Sequence, residues 1–174
     1  MKVERIIQNG IQTGIVALLC AFVGVLYVSL HDNVVKAGDG APQFSIKTIN
    51  GKTVGPKDFG GKLLILNFWA TWCQPCVQEV PSLDALQREL GPKGLVVLGV
   101  SVDKDQKAYQ EFLDRFHVSY LTAIDPNQAI NTKYGTLQFP ESYLIDTNGK
   151  VVEKIVGEAN WSSEQMVQHV QSLL

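Results

Sequence analysis

Cysteine is scarce in this chain, with three in 174 residues, and so is histidine, also three. Two cysteines, Cys73 and Cys76, stand together, while Cys20 lies far upstream in an apolar run. No cysteine is left in the folded part for a structural disulfide, which excludes a disulfide-stapled scaffold. A zinc site built on the Cys-x-x-Cys pair needs two more ligands. His31, His117 and His169 occur singly. His117 and His169 lie on amphipathic helical patterns, where an ordinary surface or helix-end histidine is the simpler reading. No metal and no bound cofactor is expected. The net charge is only -2, so the basic excess that marks nucleic-acid binding is missing. With 45% hydrophobic and 18% charged residues, the composition is neither disordered nor fibrous. The length suggests one domain plus extras.

Charge is also missing from Ile6 to Leu30, which contains no Asp, Glu, Lys or Arg. From Ile15 the run is nearly all apolar, and with its fringe it approaches the ~20 residues a membrane-spanning helix needs. Lys2 and Arg5 precede it, and Asp32, Lys36 and Asp39 follow. The positive-inside bias puts the N-terminus in the cytoplasm and the remainder outside. The organisation expected is a short cytoplasmic tail over 1–10, a transmembrane signal anchor over 11–30, a polar linker over 31–43 and a folded domain over 44–174. Two other readings stay open: a signal peptide cleaved near Val35-Lys36-Ala37, and a buried core helix. Leu19 is too bulky for a lipid-attachment signal at Cys20, so Cys20 reads as a small apolar residue of the span.

The domain itself alternates strand and helix patterns. Phe44 to Ile49 alternates apolar and polar, Asn50-Gly51 is a hairpin turn signal, and Lys52 to Val54 reads as the returning strand. Leu63 to Trp69 is an apolar run broken only by Asn67, as in a central strand buried on both faces. Val77, Val80, Leu83, Leu86 and Leu90 follow at helical spacing, and Gly91-Pro92-Lys93-Gly94 ends that helix. Leu95 to Val102 is a second buried strand. Asp103, with Gln106 three residues on, is expected to cap the next helix. A short strand over Tyr120–Ile124 and a short helix near Gln128–Tyr134 come next. A hairpin turns at Thr147-Asn148-Gly149, and a last helix is expected to open at Ser162. The pattern is that of an α/β layer fold.

Chemistry concentrates at Trp72-Cys73-Gln74-Pro75-Cys76, where the apolar strand gives way to a helix. Two thiols at i and i+3 of a helix fall within the ~4.4–6.8 Å Cα separation a disulfide requires. Cys73, at the helix start, meets unpaired N–H groups and the positive end of the dipole, so its thiolate is favoured. Cys76 lies one turn inside. This predicts attack by Cys73 on a substrate disulfide and resolution by Cys76. Pro75 is tolerated in the first turn, where its missing N–H has no intrahelical partner. A peroxidatic cysteine would want Thr or Ser three residues earlier, and Ala70 stands there.

The stretch Asn67 to Pro81, NFWATWCQPCVQEVP, resembles the membrane-anchored thioredoxin-like TlpA/ResA/CcmG group, a resemblance that covers roughly Ala41 to Leu174. It implies a thioredoxin-like fold, a central mixed β-sheet flanked by helices, with an N-terminal β-hairpin extension and a single preceding transmembrane helix. Asn67 replaces the buried Asp usual in cytoplasmic thioredoxins, and an amide cannot take a proton from a thiol. Glu79, three residues past Cys76, is implied to exchange a proton with Cys76 or to tune its pKa. The alternative is a surface glutamate. Pro81 stands inside the helix and is expected to kink it. Pro140 is implied to be cis and to lie against the cysteines, its neighbouring backbone pairing with an extended substrate segment. Glu141 follows it, as in CcmG-type members, whereas ResA-type members more often carry a small polar residue. Trp72 is expected beside Cys73 in reach of a partner, with Trp69 and Trp161 packed inside.

The function implied is an extracytoplasmic thiol–disulfide oxidoreductase, catalytic at Cys73, Cys76 and Glu79, with Trp72, Pro140 and Glu141 binding substrate. Net reduction of partner disulfides is favoured, with apocytochrome c as the implied partner in cytochrome c maturation. A membrane thiol carrier would restore the dithiol. The rivals are a broader envelope reductase or oxidase, and a binding module without turnover.

Overall fold

The computed structural model describes the backbone of residues 2–31 and 34–174, with side chains over 10–26 and 34–174. It divides into two units, 1–34 and 35–174. The first consists of helix α1, Lys2–His31. Among the described residues, no helix is long and apolar enough to cross a membrane. The side chains of the expected span over 11–30 are described only as far as residue 26.

The second unit opens with a short antiparallel pair, β1 (Ile46–Lys47) and β2 (Thr53–Val54), which matches the expected hairpin extension. The remaining elements are β3 (Leu63–Trp69), α2 (Gln74–Leu90), β4 (Leu95–Ser101), α3 (Gln106–Phe116), β5 (Leu121–Ile124), α4 (Ala129–Tyr134), β6 (Glu141–Ile145), β7 (Val151–Val156) and α5 (Glu164–Ser172). Five strands form one mixed sheet in the order β5-β4-β3-β6-β7. The pairs β3–β4 and β4–β5 are parallel, and β3–β6 and β6–β7 are antiparallel.

Every residue of β3 is buried, as its unbroken apolar run demands of a strand covered on both faces. Alternation then sends its side chains to two different cores. Leu64, Leu66 and Phe68 join Phe44, Ile46, Tyr134 and Tyr143 on one face. Leu63 and Ile65 pack with Leu83, Leu86, Leu90, Trp161 and Val170 on the other. A third cluster beside the second holds Trp69, Cys73, Cys76, Tyr109 and Phe112. Gly99 leaves room for this side of the sheet: a Cβ there would stand 3.0 Å from the Tyr120 ring and 3.1 Å from Trp69 Nε1.

Two helix starts differ from the sequence expectation. Asp105, not Asp103, caps α3, its Oδ1 accepting from the N–H groups of Lys107 and Ala108. Ser163, not Ser162, caps α5, its Oγ accepting from Met166 N–H. Each polar stretch offers two acceptors close together, and tertiary contacts decide which is free. Asp103 is spent on Thr71, and the Ser162 hydroxyl donates to Asn160.

Candidate functional site

Strand β3 ends at Trp69, and the chain turns through Ala70–Trp72 into α2. That turn is tied to the neighbouring strand. Asp103, buried just past β4, accepts from Thr71 N–H at 2.9 Å, from the Thr71 hydroxyl at 2.8 Å and from the Ser101 hydroxyl at 2.6 Å. Cys73 N–H donates to Ala70 C=O at 3.2 Å, which closes the turn.

Cys73 is the N-cap of α2, and its Sγ accepts from Cys76 N–H at 3.3 Å. Sulfur thus sits where a Ser or Asp oxygen usually caps a helix. Cys73 and Cys76 are joined as a disulfide, with Cα atoms 5.2 Å apart. Cys76 is fully buried, while Cys73 keeps a small exposed edge. Cys20, in α1, is a free cysteine.

Glu79, one turn further along α2, is 2% exposed, so it is not a surface glutamate. Its Oε1 accepts from Asn67 Nδ2 at 2.7 Å, and its Oε2 from Ala159 N–H and Trp161 Nε1, each at 3.2 Å. Asn67 Nδ2 also donates to Ser142 Oγ at 2.9 Å, across the β3–β6 register in which Asn67 faces Ser142. Burial pushes the Glu79 carboxyl up to about 7, against the three hydrogen bonds, which favour the ionised form. A carboxyl poised near neutrality one turn from a thiol has the chemistry of a proton acceptor.

Helix α2 continues through Pro81 to Leu90. Beside Pro81 the Ser82 hydroxyl donates to Glu79 C=O at 2.8 Å and accepts from Trp161 N–H at 3.2 Å. The loop that carries Ala159 and Trp161 is thereby fastened over the carboxylate. A polar cleft lined by Gln78, Pro81, Ser82, Glu158, Ala159 and Asn160 opens on the same flank.

The Phe139–Pro140 peptide is cis, and Pro140 C=O accepts from Gly157 N–H at 2.9 Å. Phe139 packs against the cluster that contains both cysteines. Its ring meets Trp72 edge-on, with centroids 6.0 Å apart. Trp72 itself is 67% exposed, and Leu137, two residues before Phe139, is 86% exposed. Trp72, next to Cys73 in the chain, therefore presents an apolar side chain to solvent.

Glu141 lies elsewhere. It pairs with Phe68 of β3, on the face opposite Glu79, and is 2% exposed. Its carboxylate accepts from the Tyr143 hydroxyl and pairs with Lys154 Nζ at 3.0 Å. It is not a solvated strand-end charge, and the structure does not bring its carboxylate to the Glu79 side of the sheet.

The residues that sequence reasoning missed here are Trp161, Ser142, Ser82 and Asp103. Trp161 was expected only as packing, and it does pack, at 0% exposed, but its N–H also reaches Glu79. No local pattern announces this, since the two residues are 82 positions apart. Among the described residues, no group of acidic, cysteine and histidine side chains is arranged to hold a metal ion.

A mixed sheet of this order, a dithiol capping the helix after its central strand and a cis-proline entering the next strand define a thioredoxin-like thiol–disulfide oxidoreductase. The Redoxin family model matches residues 36–173, and the chain belongs to that family. Within it the chain is 33% identical to thiol-disulfide oxidoreductase ResA of Bacillus thuringiensis subsp. konkukian (strain 97-27), over 99% of both chains. It is 37% identical to the thioredoxin-like protein YneN of Bacillus subtilis (strain 168), over 71% of this chain and 73% of that one. Among solved structures, a DsbE-type thiol:disulfide interchange protein from Chlorobium tepidum superposes with a TM-score of 0.74 at 33% identity, covering 81% of this chain and 99% of that one.

Proposed function

We propose that the chain is a membrane-tethered, extracytoplasmic reductase of partner-protein disulfides that acts in the maturation of c-type cytochromes. The observation that carries the thiol chemistry is the buried Glu79 carboxyl, near neutrality one turn beyond Cys76. In the reduced protein the Cys73 thiolate attacks one sulfur of a substrate disulfide and expels the other as a thiolate. The proton of the Cys76 thiol passes to the Glu79 carboxylate. The Cys76 thiolate then attacks Cys73 Sγ and releases the second substrate thiolate. Two electrons have moved, and the Cys73–Cys76 disulfide remains. Trp72 and the Phe139–Pro140 segment receive the partner beside Cys73.

The extracytoplasmic setting is supported by the charge-free stretch from Ile6 to Leu30 and by Lys2 and Arg5 ahead of it. An oxidising compartment requires that the dithiol be restored, and a membrane thiol carrier bringing electrons from the cytoplasm is the natural donor. The relatives named as ResA and DsbE support thiol–disulfide exchange as the activity.

The test is a Cys76→Ser variant, which retains the attacking thiol and cannot resolve. It is expected to trap mixed disulfides with exported proteins, and mass mapping is expected to find haem-attachment Cys-x-x-Cys-His segments among them. A measured potential near ~-120 mV, that of strong oxidants, would overturn the reductase reading.

A further inference from the structure

The thiol chemistry makes no use of Trp161, yet its indole is one of three groups that hold Glu79. A carboxylate has about four lone-pair positions, two on each oxygen. Oε2 receives Ala159 N–H and Trp161 Nε1–H, each at 3.2 Å, so both of its positions are filled. Among the described residues, Oε1 receives only Asn67 Nδ2, at 2.7 Å. A backbone amide and an indole N–H can donate and cannot accept. Neither can serve a proton carried on Oε2. Asn67 spends its other N–H on Ser142 Oγ. The one open position is therefore on Oε1.

We propose that Trp161 is a positioning residue that, with Ala159 N–H, occupies Oε2 and confines the exchangeable proton of Glu79 to Oε1. This rests on the reading of Glu79 as the proton acceptor for Cys76. The transfer is Cys76–SH plus Glu79 carboxylate to Cys76 thiolate plus Glu79 carboxyl, with the new O–H on Oε1, and the proton is later lost to water. Ser82 fixes the geometry, because its hydroxyl joins Trp161 N–H to Glu79 C=O. Trp161 is fully buried, so its N–H meets Glu79 away from water.

The experiment uses the intact 174-residue chain as wild type, Trp161→Phe, Glu79→Gln and the double variant. Each reduced protein reacts with a chromogenic aromatic disulfide. Attack by Cys73 releases one coloured thiolate, and resolution by Cys76 releases the second. In the wild type the second phase accelerates with pH as Glu79 ionises. Trp161→Phe is expected to move that rise upward by about one pH unit, because a hydrogen bond to the charged form is lost. Glu79→Gln removes the rise and leaves only that of the thiol's own ionisation, and Trp161→Phe adds nothing in that background. If Glu79→Gln removes the rise and Trp161→Phe leaves it in place, the Trp161 proposal fails while the Glu79 reading stands. If Glu79→Gln leaves the rise in place, both fail. An equal shift in both backgrounds also overturns the proposal, since the indole would then act through packing. A second measurement needs no change at position 161. The indole N–H resonance of Trp161 is expected to titrate together with the Glu79 carboxyl and to become pH-independent in Glu79→Gln. An indole signal that ignores the Glu79 titration would sink the assignment.

Discussion

Glu79 concentrates the tension of the site in a single side chain. Its carboxyl is raised from 4.5 to about 7, with desolvation by burial the largest cause. Folding therefore binds the proton more tightly than the unfolded chain does. The resulting stability is fully present below pH 4.5 and is lost as pH rises through about 7. A difference of that size corresponds to roughly 3 kcal/mol across the window. Glu79→Gln is expected to flatten this part of the stability profile of the oxidised protein, measured as the denaturant midpoint between pH 4 and pH 8. A variant whose midpoint falls with pH as steeply as wild type would refute the account. Glu141 differs in kind. Its charge is met by Lys154 at 3.0 Å and by the Tyr143 hydroxyl, an arrangement that holds β6 to β7. Burial and this hydrogen bond push the Tyr143 hydroxyl well above the usual phenol range.

At the scale of elements, the N-terminus of α2 and the loop before it decide which thiol reacts. Cys73 caps the helix and keeps an exposed edge, while Cys76 is fully enclosed. In the reduced protein Cys73 is expected to alkylate ahead of Cys76 at every pH below the ~8.5 of a free thiol, read by mass mapping of partially modified protein. Equal rates would remove the helix N-terminus as the cause. The loop depends on Asp103, which gathers two donors from Thr71 and one from Ser101. Asp103→Ala leaves those donors unpaired around a buried site. The expected loss is about 2–4 kcal/mol of stability, seen as a lower denaturant midpoint. The elements themselves were largely legible. The run Leu63–Trp69 and the spacing Val80, Leu83, Leu86, Leu90 state a buried strand and an amphipathic helix by their periods. The caps of α3 and α5 were not, because Asp103 and Asp105, or Ser162 and Ser163, compete locally on equal terms, and contacts from other parts of the chain select between them.

For the whole molecule, the division after Val34 separates the N-terminal helix, which carries the charge-free stretch from Ile6 to Leu30, from a unit with its own sheet and core. Removal of residues 1–34 is expected to leave the thermal midpoint and the Cys73–Cys76 chemistry of the remainder unchanged, and to abolish membrane association in cell fractionation. Persistent association without that segment would overturn the proposed anchor. Taken alone, the sequence determined the dithiol, the strand-to-helix junction that carries it and the α/β alternation around it, because periodicity and a Cys-x-x-Cys spacing are local properties. Tertiary structure alone decided that Trp161 and Ala159 reach Glu79 across 82 and 80 positions. It also decided that Asp103 serves the active-site loop and that Glu141 lies on the opposite face from Glu79. Hydrogen bonds between distant residues depend on where the sheet and helices bring them, and no period or motif along the chain records that.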